Sequence, residues 1–133
     1  MIKKIAHIGV GVKDLDEAER FYADILSLTV SDRGQHGDLK ASFLSIGDTS
    51  IELLQSTTPE GVISKFIEKK GEGVHHIAYE VDDIEKTLAH LEAKGVQLID
   101  KKPRPGAHNS RIAFINPKDS FGVLVELVEP QKK

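Results

Sequence analysis

The chain has 133 residues, no cysteine and a formal net charge of −3 at neutral pH. That length suits one domain and leaves little room for two independent ones, and the missing thiols exclude disulfides, thiolate metal sites and a cysteine nucleophile. Near-neutral charge, seven aromatic residues and no tryptophan offer neither an electrostatic drive toward nucleic acid nor a platform for stacking bases.

No apolar run approaches the ~18 residues of a membrane span. Met1-Ile2-Lys3-Lys4-Ile5 is not followed by the apolar stretch of a secretory leader. The expectation is a cytoplasmic protein that binds neither nucleic acid nor membrane.

In chain order, residues 5–12 alternate, with Ile8, Val10 and Val12 on one face, and predict a strand. Asp14 and Glu17 stand as N-cap and N3 of a helix over 15–26, with Leu15, Ala18, Phe21, Tyr22, Ile25 and Leu26 as its apolar stripe. Three strands follow near 28–35, 39–46 and 49–55. Thr58-Pro59 opens a second helix with Val62, Ile63, Phe66 and Ile67 on its apolar side, and Gly71 and Gly73 close it. A strand at 74–81 leads to a helix at 84–94, stopped by Gly95. The last strands are placed near 96–100, 110–115 and 122–128.

This order hides a repeat. His7-Ile8-Gly9-Val10-Gly11-Val12-Lys13-Asp14-Leu15 and His76-Ile77-Ala78-Tyr79-Glu80-Val81-Asp82-Asp83-Ile84 both read His-Ile-small-x-x-Val-x-Asp-aliphatic. Ile51-Glu52-Leu53-Leu54 likewise resembles Val125-Glu126-Leu127-Val128. Each half opens on a histidine and closes on a glutamate. The plan is β-α-β-β-β twice in an α+β protein with mostly antiparallel sheets. It is one domain over residues 1–133, with module 1 at about 1–57, a linker helix at about 59–71 and module 2 at about 73–130.

Side-chain parity sharpens the four polar positions. His7 shares its face with Gly9 and Gly11, and His76 shares its face with Ala78, so each imidazole looks out over small residues. His75 falls on the opposite face with Ile77 and Tyr79, which the repeat predicts to be packed. Glu52 and Glu126 sit in aliphatic strands, where an unpartnered carboxylate is costly. Two imidazoles and two carboxylates converging would suit a borderline-to-hard divalent cation and leave octahedral positions open. The alternative is two solvent-facing histidines and two glutamates reaching water at sheet edges.

These residues carry a family resemblance over essentially the whole chain. His7-Ile8-Gly9-Val10, the stretch Leu15 to Leu28 and the His and Glu repeats resemble the vicinal oxygen chelate (glyoxalase/bleomycin resistance/dioxygenase) superfamily. Gly71-Glu72-Gly73-Val74-His75-His76-Ile77-Ala78, Pro105-Gly106-Ala107-His108-Asn109 and Asn116-Pro117-Lys118-Asp119 are similar to its methylmalonyl-CoA epimerases. The resemblance implies a cup-shaped sheet built from the two modules around a metal held by His7, Glu52, His76 and Glu126, and a homodimer. The implied ion is Co²⁺ first, then Mn²⁺, Ni²⁺, Zn²⁺ or Mg²⁺. The implied reaction interconverts (R)- and (S)-methylmalonyl-CoA, an acyl-CoA substrate, through an enolate. Glu126 is the expected acid/base on one face; because Ala41 stands where some relatives carry a catalytic glutamate, Glu52, a water or a shifted pairing serves the other. Relatives with glutamine in place of Glu52 imply a more negative site here. Lys101, Lys102, Arg104, Arg111 and Lys118 form a basic stretch suited to phosphates or simply to solvent. Glyoxalase I and a non-catalytic binding protein of the same fold are the competing functions.

Overall fold

The computed structural model describes residues 1–132. The elements are β1 (Ile2–Gly11), α1 (Leu15–Arg20), β2 (Thr29–His36), β3 (Leu39–Ile46), β4 (Thr49–Ser56), α2 (Val62–Lys70), β5 (Gly73–Val81), α3 (Ile84–Ala93), β6 (Arg104–Pro105), β7 (Arg111–Ile115) and β8 (Leu124–Glu129). The chain is α+β and carries the predicted succession of strands and helices except between α3 and β7. It forms two compact units. One is continuous from His7 to His75, and the other joins Met1–Ala6 to the residues from His76 onward. Among the described residues no helix is long and apolar enough to cross a membrane.

In the continuous unit the strand order is β2-β3-β4-β1. The β1 segment His7–Gly11 runs parallel to β4, β4 is antiparallel to β3, and β3 is antiparallel to β2, with a bulge between Val30 and Asp32. Strand alternation sends Val10, Val12, Leu44, Ile51 and Leu53 to one face. There they pack with Leu15, Ala18, Tyr22, Ala23, Leu28 and Val30 into one hydrophobic core. The opposite face carries His7, Gly9, Gly11, Glu52 and Phe43 in adjoining register positions. Gly11 lets α2 pack closely: a Cβ there would stand 3.1 Å from the Phe66 ring and 3.2 Å from Ile63, so those side chains would have to give way.

The other unit repeats the pattern in the order β5-β8-β7-β6. β5 runs parallel to β8, and β8-β7 and β7-β6 are antiparallel. Val81, Ile84, Leu88, Ala113, Ile115 and Leu127 form its buried core. His76, Ala78, Glu126 and Phe114 occupy the face turned away from it.

The starts of α1 and α3 are built alike. The Asp14 carboxylate caps α1 by accepting from Glu17 N, and Asp83 caps α3 by accepting from Lys86 N, both at 3.0 Å. A side chain from the last strand of each module accepts the first helical amide: Gln55 Oε1 takes Leu15 N at 2.8 Å, and Glu129 Oε2 takes Ile84 N at 2.9 Å. Glu129 is buried and also accepts from Arg111 Nε at 3.1 Å and Nη2 at 2.8 Å. Burial alone would raise its pKa, but the Ile84 amide and the Arg111 guanidinium outweigh it and hold the carboxyl below its ordinary value. Stability from this group is therefore present above the unfolded-state pKa of about 4.3 and is lost as pH falls toward the folded value. Urea titrations across the acid range should show Glu129→Gln with lower stability at pH 7, by roughly 1–3 kcal/mol, and a flatter acid limb. An unchanged acid limb would refute this assignment.

Three expectations need correction. The helix predicted over 15–26 is α-helical only to Arg20, and Phe21–Ile25 form a π turn, with Leu26 N bonded to Phe21 O at 3.0 Å. The wider turn rotates the stripe, so Ala18, Tyr22 and Ala23 pack inward while Phe21, Ile25 and Leu26 are exposed. The strand placed near 96–100 is a single bridge between Leu98 and Ile115. There the Asp100 carboxylate accepts Phe114 N at 2.9 Å, the amide a partner strand would otherwise take. On the edge of β7 away from β8 the regular partner is β6, in a stretch expected to be loop.

Candidate metal centre

Each unit holds one histidine–glutamate pair. In the continuous unit His7 Nε2 lies 3.2 Å from Glu52 Oε1, with the two side chains 14% and 12% exposed. The register explains the meeting: Glu52 on β4 sits directly beside Gly9 on β1, two residues along from His7, and Gly9 has no side chain to intervene. In the other unit His76 Nε2 lies 3.1 Å from Glu126 Oε1, with exposures of 5% and 8%. Here Ala78, fully buried, stands beside Glu126 in the role of Gly9. The structure thus brings His7 to Glu52 and His76 to Glu126, on the sheet faces that parity assigned.

His75 is elsewhere, its ring edge-on to Phe66 of α2 at 5.0 Å between centroids. The positive φ of His108 (58°) places it within the tight turn before β7. Ala41 lies opposite Leu54 and Gly34, on the same face as Phe43 and Glu52, so that position offers no acid. Arg111 of the basic stretch is occupied, since its guanidinium holds Glu129 and, through Nη1 at 2.8 Å, Glu85.

Two aromatic residues escaped the sequence reading. Phe43 is directly opposite Glu52, and its ring meets His7 edge-on at 6.0 Å. Phe114 is directly opposite Glu126, and its ring meets His76 edge-on at 6.2 Å. Each supplies an apolar wall that limits how its imidazole can turn. The signal was available: Ser42-Phe43-Leu44 and Ala113-Phe114-Ile115 share the pattern small-Phe-aliphatic and stand 71 residues apart, close to the spacing of the histidines.

The residues present fit a divalent cation. Two donors each ~2.1 Å from one ion and at right angles to each other lie about 3 Å apart. That is the separation found in both pairs, and the donor atoms, imidazole nitrogen and carboxylate oxygen, suit a borderline-to-hard ion. The shielding of both pairs from water also strengthens any charge interaction made there.

Residues 6–114 match the Glyoxalase/Bleomycin resistance protein/Dioxygenase superfamily. The mitochondrial methylmalonyl-CoA epimerase of Mus musculus is 36% identical over 93% of this chain and 71% of its own length. The ethylmalonyl-CoA/methylmalonyl-CoA epimerase of Cereibacter sphaeroides is 36% identical over 96% of this chain and 98% of its own. Among solved structures, a methylmalonyl-CoA epimerase in complex with methylmalonyl-CoA and ammonium superposes with a TM-score of 0.93 at 34% identity, covering 98% of this chain and 96% of that one. With the fold, the repeat and the sequence match in agreement, the chain belongs to the glyoxalase/bleomycin resistance protein/dioxygenase superfamily, in which these similar proteins are methylmalonyl-CoA epimerases.

Proposed function

We propose that the protein is a metal-dependent epimerase that interconverts (R)- and (S)-methylmalonyl-CoA. The observation that carries this reading is the likeness to methylmalonyl-CoA epimerases across nearly the full chain, through both histidine–glutamate pairs. His7, Glu52, His76 and Glu126 together hold one divalent ion. Each pair offers an imidazole nitrogen and a carboxylate oxygen, 3.2 and 3.1 Å apart, as donors suited to such an ion, and Co²⁺ is the first candidate. When bound, the ion supplies Lewis acidity that stabilises negative charge developing on the thioester and carboxylate oxygens.

The chain's own groups move the proton. C2 of the substrate is flanked by a thioester and a carboxylate, so its C–H bond is acidic enough for a carboxylate base in a water-poor site. Glu126 removes that proton, the C–H electron pair passes into the enolate, and Glu126 becomes a carboxylic acid. Reprotonation of C2 on the opposite face gives the other epimer. With Ala41 unable to act, Glu52 is the candidate donor for that face. Phe43 and Phe114 exclude water beside the two pairs. A homodimer completes the reading.

Methylmalonyl-CoA in D₂O, followed by NMR, tests the proposal directly. Deuterium should enter C2 and the epimers should interconvert, and a chelator should stop both. The glyoxalase I alternative uses the same donors and enolate chemistry. Turnover of the methylglyoxal–glutathione hemithioacetal with no exchange on methylmalonyl-CoA would replace the epimerase reading with that one.

A further inference from the structure

One cation lies over the aromatic ring that flanks the His76–Glu126 pair and is not consumed by the fold. Arg104, on β6, pairs in register with Ile112, two residues along β7 from Phe114, and so shares the Phe114 face. Its guanidinium carbon lies 5.0 Å above the centroid of the Phe114 ring, within the range of a cation–π contact. The same ring is edge-on to His76 and opposite Glu126. Asp100 Oδ2, which accepts the Phe114 amide, lies 3.3 Å from the guanidinium Nε as an ion pair.

The contrast with two other arginines is informative. Arg33 gives Nε and Nη2 to Glu19, and Arg111 spends its fork on Glu129 and Glu85. Both are structural. On Arg104 neither Nη1 nor Nη2 has a protein hydrogen-bond acceptor among the described residues, and the side chain is half exposed. The hairpin behind it is tightly closed, with Gly106 N bonded to Ser110 O at 2.9 Å and no space for a Cβ at Gly106, which would stand 2.5 Å from Ile112. A planar cation is thus stacked on an aromatic ring, paired with one carboxylate at Nε and left with two amino groups that no described protein group accepts from. That is the arrangement that receives an oxyanion.

We propose that Arg104 is a specificity-determining residue, an anion receptor that binds an oxyanion of the substrate through Nη1 and Nη2 beside the His76–Glu126 pair. This rests on the epimerase reading, in which the substrate offers two such sources, the acyl carboxylate and the phosphates of coenzyme A.

Binding of three thioesters by calorimetry to wild type and Arg104→Met separates the sources. They are methylmalonyl-CoA, propionyl-CoA without the carboxylate, and methylmalonyl-pantetheine without the nucleotide. If Arg104 receives the carboxylate, Arg104→Met weakens the first and third by roughly 10- to 100-fold and leaves propionyl-CoA unchanged. If it receives a phosphate, the first and second weaken and the third does not. Arg104→Lys should recover part of the loss, and the thermal midpoint of each variant shows whether the fold is retained. Equal affinities of wild type and Arg104→Met for all three would overturn the proposal. A wild type that binds none of them defeats the epimerase reading instead. The same comparison with S-lactoylglutathione, which carries carboxylates but no phosphate, then decides the role of Arg104.

Discussion

Glu126→Gln should slow C2 proton exchange of methylmalonyl-CoA by about 10²- to 10⁴-fold, the range that a positioned general base contributes. The substitution keeps a side-chain carbonyl oxygen 3.1 Å from His76 as a donor while removing the basic site. Metal content, measured by mass spectrometry of the purified variant, should therefore stay close to wild type. That combination separates a base from a mere ligand. Full exchange in a metal-loaded Glu126→Gln protein would remove Glu126 from the proton-transfer step. The partner experiment is Glu52→Gln. If Glu52 serves the opposite face, this variant should still wash deuterium into one epimer but should lose interconversion by a comparable factor. Retained interconversion would assign the second proton to water or to another group.

The second large effect concerns the ion. Dialysis against a chelator should remove catalysis, and added Co²⁺ should restore it. Thermal unfolding provides a reading independent of turnover, because a ligand bound only by the native state stabilises it by about 2.7 kcal/mol at a hundredfold excess over its Kd. For a chain of this length that is a rise of roughly 10 °C in Tm. His76→Ala removes a buried donor whose side chain is 5% exposed, and it should abolish the metal-induced shift. A wild-type protein whose Tm ignores Co²⁺, Mn²⁺, Ni²⁺ and Zn²⁺ alike would argue for the non-catalytic binding alternative.

Much of this site was legible because strands report their own faces. Period-2 alternation on β1 and β5 separates Ile8, Val10 and Val12 from His7, and Ile77, Tyr79 and Val81 from His76, without any knowledge of neighbours. Capping by Asp14 was equally local, an oxygen three residues from the amide it satisfies. What escaped depends on pairing across strands. Phe43 and Phe114 look like ordinary core residues until the register sets them opposite Glu52 and Glu126. The reach of Gln55 and Glu129 back to the first amides of α1 and α3 spans 40 and 45 residues. The π turn was hidden for another reason. The 15–26 stripe is a good 3.6-residue pattern, and inserting one residue's worth of turn at Phe21 reassigns its second half to solvent. At Asp100 a side chain replaces a strand carbonyl as the acceptor for Phe114 N, and no periodicity announces that substitution.

The unequal continuity of the two units bears on how the chain reaches its native state. The unit from His7 to His75 is made of consecutive residues, whereas the other closes only when Met1–Ala6 meets the chain beyond His75. The intervening 69 residues, from 7 to 75, set a loop-closure entropy of roughly 4 kcal/mol by polymer scaling. Long-range closure of this kind raises contact order and slows folding. During synthesis the first residues to emerge must therefore wait for the last, with an unpaired strand edge exposed in the interval. A deletion at the N-terminus would do its damage in the half of the chain most distant from it in sequence.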